Sequence, residues 1–204
     1  MLFCLKEREF MLKKELIYLL VSSGFAGEVN HFTQKQLSLD LGISLSTVNN
    51  ALRVPRDVGA VKVTGRYFTI EDKEKLLNLW ATVRGLQKDI IYSTRVEAPV
   101  KTIEGQMPAG VLFSAYTGFS QLYNQAPADY DKVYVYADAT VLAELKKRFP
   151  PVKGYANLIV LKSDQWLKNL SNRGIVPSAQ LFVDLWNLSD WYAREFLLAL
   201  RDKL

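Results

Sequence analysis

The chain has 204 residues, 49% hydrophobic and 23% charged, which is enough apolar mass for one good core or two small ones and is the composition of a globular chain rather than a disordered one. No window of about 18 residues is apolar and free of charge, so a membrane-spanning helix is excluded, and the single cysteine, Cys4, excludes a disulfide framework or a cysteine-built zinc site. The net charge of +5 tilts the chain toward an anionic partner, with nine Lys and Arg against six Asp and Glu in residues 1–70 and 17 against 15 in the remainder.

The first stretch, MLFCLKEREFMLKKELIYLL, mixes Leu and Phe with Lys, Glu and Arg, so no secretory signal is expected and a cytoplasmic location is. From Leu5 to Val21 the apolar residues Phe10, Leu12, Leu16, Ile17, Leu20 and Val21 recur at three-to-four spacing, the period of an amphipathic helix. Gly24 and Gly27 break it. Thr33 then suits the N-cap of a helix over Gln34–Leu41, with Gly42 as its stop. Ser44 suits the cap of a second helix, Leu45 to about Arg53, which is expected to end there because Val54 precedes Pro55. Val61 and Val63 alternate with Lys62, Thr64-Gly65-Arg66 can turn the chain, and Tyr67, Phe68 and Ile70 return it, so a β-hairpin is predicted. Three helices and a hairpin over residues 1–70 follow the plan of a winged helix–turn–helix.

The spacing between the two short helices carries that reading. Gly42 offers a left-handed turn without a Cβ penalty, and Ser38 is small where the helices must cross closely. Leu37, Leu41, Ile43, Val48 and Leu52 can then pack inward, which leaves Ser46, Thr47, Asn49, Asn50 and Arg53 facing outward. An Asn amide can pair an adenine edge with two atoms, Ser and Thr serve a base or a phosphate, and Arg prefers guanine or phosphate. A merely solvated helix face would more usually carry Glu and Lys, which have better helix propensity than paired asparagines. The alternative is an ordinary helical hairpin with a polar face. Ser44 is expected to cap and to touch phosphate, while Lys62 and Arg66 would hold the hairpin against the backbone or minor groove.

Residues 71–92 read as a connecting helix, with Leu76, Leu77, Trp80 and Val83 along one side and Gly85 as its weak point. In residues 93–204 strands and helices interleave. TRVEAPV alternates as a strand, MPAGVLFSAYTGFSQLY reads as a helix after Pro108, KVYVYA as a strand and TVLAELKKRF as a helix ended by Pro150 and Pro151. NLIVLK reads as a strand, followed by helices from Pro177 to about Trp186 and from Asp190 to about Lys203. The fold class expected is α+β, a winged helix–turn–helix followed by a small α/β domain. The aromatic-rich C-terminal helices are expected to supply core, with a dimer or partner surface as the alternative.

Signals of catalysis are few. His31 stands alone, and neither a Gly-rich phosphate loop nor a nucleophile elbow is present. Asp129 and Asp131, two apart and directly before a strand, are the one carboxylate pair placed as a divalent-cation site of a nucleotidyltransferase would place it. That chemistry also wants an adjacent Gly-Ser pair and a third carboxylate on a later strand. Gly110 and Ser114 are not adjacent, NLIVLK holds no carboxylate, and Asp164 lies just beyond it. The rival reading of PADYDK is a polar loop. Neither a cofactor nor a resident metal is expected.

On its winged helix, on MPAGVLFSAYTGFSQLY running into DYDKVYVYAD, and on GIVPSAQLFVDLWNL followed by a helix with Arg194 and Glu195, the chain resembles the AbiEi-type transcriptional regulators. These are the antitoxins of type IV toxin–antitoxin systems. The resemblance implies a C-terminal domain like a nucleotidyltransferase fold without its chemistry. It also implies repression of the chain's own promoter through repeats in double-stranded DNA, homodimeric binding, and a nucleotidyltransferase toxin encoded next door that is opposed without a necessary stable complex. A nucleotidyltransferase using Asp129 and Asp131, or a protein-interaction module, remain the alternatives.

Overall fold

Ile17, Tyr18, Leu19 and Val21 turn inward from a helix over residues 13–23, named α1 here. The computed structural model describes residues 13–23, 31–65 and 67–204; the expected helical residues before 13 and Arg66 lie outside the described residues. The fold is mixed α+β, and the chain divides into two units, Met1–Arg84 and Gly85–Leu204. Among the described residues no helix is long and apolar enough to cross a membrane.

In the first unit, α1 is followed by β1 (His31–Phe32), α2 (Gln34–Leu41), α3 (Leu45–Asp57), β2 (Val61–Val63), β3 (Phe68–Ile70) and α4 (Lys73–Val83). The three strands form an antiparallel sheet in the order β1-β3-β2, with Lys62 opposite Thr69 and Phe32 opposite Phe68, whose rings stack at 5.4 Å. β1 was not foreseen, because two residues are too short to show a period of two. Val48, Ala51 and Leu52 of α3, Phe68, and Leu76, Leu77 and Trp80 of α4 are all buried, and α4, expected as a connector, lies within the first unit's bounds.

α3 does not stop at Arg53: it continues through Pro55 to Asp57. A proline inside a helix removes one hydrogen bond and ordinarily breaks the helix at a cost of about 3 kcal/mol or more. The bond it removes here is the one to the carbonyl of Ala51, and the Tyr18 hydroxyl donates to that oxygen instead, at 2.8 Å.

The second unit opens with a 3-10 turn (Leu86–Asp89) and β4 (Ile90–Thr94), then α5 (Val100–Gly105), β5 (Leu112–Ser114), α6 (Ala115–Tyr123), β6 (Val133–Ala137) and α7 (Ala139–Arg148). β7 (Leu158–Lys162), α8 (Gln165–Leu170), α9 (Ser178–Trp186) and α10 (Ala193–Arg201) complete it. The sheet runs β4-β7-β6-β5, with β6 and β7 parallel and both outer pairs antiparallel. β6 is buried throughout. Val133, Val135 and Ala137 join a core with Ile103, Leu145 and Phe149, whereas the alternate residues Tyr134 and Tyr136 meet Tyr116 of α6 and Asp184 of α9. The outer edge of β5 is closed as well, since the Phe113 N–H donates to the Gly174 carbonyl at 2.7 Å and the Val176 N–H to the Phe113 carbonyl at 3.1 Å.

Two expectations are corrected. The strand placed over TRVEAPV lies earlier, at Ile90–Thr94, because beyond Thr94 the backbone of Val96 is satisfied by the amide of buried Asn157 rather than by a strand. The helix placed over MPAGVLFSAYTGFSQLY begins only at Ala115, after the three residues of β5. The corner between them is tight: Ala115 adopts a φ of 49°, and a Cβ on Gly118 would sit 2.9 Å from the Phe113 carbonyl oxygen. An unbroken apolar run reads alike as buried helix or buried strand, so pattern alone could not find this corner.

Candidate nucleic-acid interface

The turn between α2 and α3 is made by Gly42, whose φ of 60° lies in the left-handed region that glycine enters without penalty. Its neighbours close it. The Ile43 N–H donates to the Ser38 carbonyl at 3.1 Å, and the Ser38 hydroxyl donates back to the Ile43 carbonyl at 2.6 Å. Smallness at Ser38 was the expectation; a covering hydrogen bond is its further use. Thr33 caps α2 by accepting from the Gln36 N–H at 3.0 Å, and Ser44 caps α3 by accepting from the Thr47 N–H at 3.2 Å.

With both helices fixed, α3 is two-faced. Val48, Ala51, Leu52 and Pro55 are buried, while Ser44, Ser46, Asn49, Asn50 and Arg53 are exposed and Thr47 is half-buried. The hydroxyls of Ser46 and Thr47 each lie 2.8 Å from the Ser44 hydroxyl. Ser44 therefore has its hydrogen-bonding capacity taken up by its own helix, which leaves Ser46 as the freer hydroxyl of that turn.

Asn49 has a partner that sequence reasoning missed. Its Nδ2 donates to Oε1 of Gln34, in the first turn of α2, at 3.3 Å. An amide nitrogen carries two hydrogens, so Asn49 keeps one donor and its oxygen for another partner. Between these first turns and the β2–β3 hairpin lies a cleft of about 280 Å³, lined by Gln34, Lys35, Leu45, Val63, Thr64, Gly65 and Tyr67. Lys62 is exposed on β2, and Arg66 lies outside the described residues. The single histidine, His31, sits on β1 rather than in a loop, with its ring 4.9 Å from that of Tyr67 and nearly perpendicular to it.

The carboxylates of the second unit are placed differently. Asp129 is exposed; Asp131 accepts from the Tyr192 hydroxyl, and nearby Lys132 pairs with Asp190, which also accepts from the Tyr116 hydroxyl at 2.9 Å. Burial and these acidic acceptors raise the pKa values of Tyr116 and Tyr192 far above the ordinary phenol range, so both remain donors at neutral pH. Asp164 caps α8, accepting from the Leu167 N–H at 2.7 Å. Ser114 is fully buried and donates to Asp184 at 2.7 Å; Tyr136 and Gln180 donate to the same carboxylate at 2.8 Å. Among the described residues no three His, Cys, Asp or Glu side chains are grouped as a metal site would need. Compared with protein-family models, curated proteins and solved structures, the chain matches none.

Proposed function

We propose that the chain is a sequence-specific regulator that binds double-stranded DNA through a winged helix–turn–helix. α3 enters the major groove, and the β2–β3 hairpin lies against the backbone as the wing. One observation carries the reading: the exposed face of α3 offers Ser46, Asn49, Asn50 and Arg53, hydrogen-bonding groups suited to base edges and phosphate, opposite a buried apolar face. The third strand, β1, supports it by anchoring the returning arm of the hairpin.

The wider role follows the resemblance. The chain acts as the antitoxin-type repressor of its own operon, as a homodimer on promoter repeats, and its second unit is a nucleotidyltransferase-like domain used without catalysis. Titration of labelled upstream DNA tests the first step. Asn49→Ala should weaken specific binding by about 1–3 kcal/mol and relax discrimination at one base pair, leaving the salt dependence unchanged. A wild-type chain that binds no duplex in a salt-dependent way would overturn the reading. Label transfer from a nucleotide with Mg²⁺, abolished by Asp131→Asn, would replace it with catalysis.

A further inference from the structure

α3 carries a proline within its buried face, and the hydrogen bond that proline removes is supplied by a different helix. The ring nitrogen of Pro55 has no hydrogen to donate to the carbonyl four residues earlier, that of Ala51. Ala51 is fully buried and Pro55 is buried beside it, so water does not serve that oxygen. A buried carbonyl without a donor is strongly unfavourable. The Tyr18 hydroxyl, from α1, meets the need at 2.8 Å, and Tyr18 is itself only 1% exposed. Burial pushes the Tyr18 pKa well above the ordinary phenol value, so the hydroxyl stays a donor at neutral pH.

The peptide held in this way joins Ala51 to Leu52, between Asn50 and Arg53. Burial of apolar surface is non-directional, whereas a hydrogen bond has a preferred line, and this one runs from α1 to the backbone of α3. We infer that Tyr18 is a positioning residue for base recognition: its hydroxyl stands in for the missing Pro55 amide and fixes the turn of α3 that presents Asn50 and Arg53. The inference rests on the DNA-binding reading for its consequence but not for its geometry.

The pair lends itself to a rescue experiment, because alanine at position 55 restores the amide hydrogen to the Ala51 carbonyl. The wild-type chain, Tyr18→Phe, Pro55→Ala and the double variant would be compared by urea unfolding. The same four would be titrated, under folding conditions, with a duplex that the wild type selects from a random-sequence pool and with an unrelated duplex. Tyr18→Phe should unfold at lower urea and lose about tenfold in affinity for the selected duplex, while its affinity for the unrelated one, governed by phosphate contacts, stays close to wild type. In the Pro55→Ala background the same Tyr18→Phe change should cost little in either measurement. If Tyr18→Phe alone does not fold, a double variant that folds and discriminates supports the inference, and one that does not fold overturns it. Equal loss in both backgrounds, or wild-type discrimination by Tyr18→Phe, overturns it as well. A wild type that selects no duplex removes the DNA reading and the positioning role together, yet the unfolding measurements would still record whether Tyr18 and Pro55 are coupled.

Discussion

The Asn49 amide is held by Gln34 across the two short helices, at 3.3 Å. A side-chain amide facing water samples both flips and several rotamers, and a bidentate contact to an adenine must select one of them. On the proposed DNA-binding reading, the Gln34 oxygen makes that selection in advance, so less order would be lost on binding. On that same reading, Gln34→Ala is expected to lower discrimination at one base pair by about 1 kcal/mol, less than Asn49→Ala itself, while the slope of affinity against salt stays unchanged. Paired titrations over a salt series would check it, and a changed slope would mean that Gln34 touches phosphate instead.

Among the elements, α7 shows what a cap can do. Asp138 accepts from the Val141 N–H at 2.9 Å and pairs with Lys168 of α8, and both interactions hold its carboxyl below the ordinary Asp value of 3.8, the lysine more than the amide. A lowered pKa means that the folded state favours the charged form. Its stabilisation is complete above the unfolded value of 3.8 and is lost as pH falls through the folded one. Asp138→Asn keeps the cap and loses the ion pair, so it should cost at most about 1 kcal/mol at neutral pH, and the difference from wild type should vanish in acid. Asp138→Ala should cost about 1 kcal/mol more. Denaturant titrations at pH 7 and at a series of pH values descending from 3.8 separate the two. Elements of this kind were legible: Thr33, Ser44 and Gly42 mark their helices in the sequence, and so do β6, α7 and β7 by period and proline. The extension of α3 past Pro55 was not, because the donor that permits it comes from 33 residues away. Nor was Gln34, whose part in the site exists only once α2 and α3 cross.

At the scale of the whole molecule, the chain divides into two compact units, Met1–Arg84 and Gly85–Leu204. In the second unit the carboxylate of Asp184 is almost wholly buried and gathers donors from β5, β6 and α9. Asp184→Ala leaves the hydroxyls of Ser114 and Tyr136 without that acceptor in a dry interior, so the second unit should lose about 3 kcal/mol or more. Thermal unfolding would show the loss, and the duplex binding proposed for the first unit, measured well below the transition, should keep the wild-type salt slope. A fall in affinity with the fold intact would tie recognition to the second unit.

The closed edge of β5 has a consequence for behaviour in concentrated solution. A bare strand margin offers a ladder of amides and carbonyls to any extended chain that drifts past, including another copy of the same protein. Gly174 and Val176 occupy that margin at Phe113, so on this side the sheet gives a growing fibril nowhere to start.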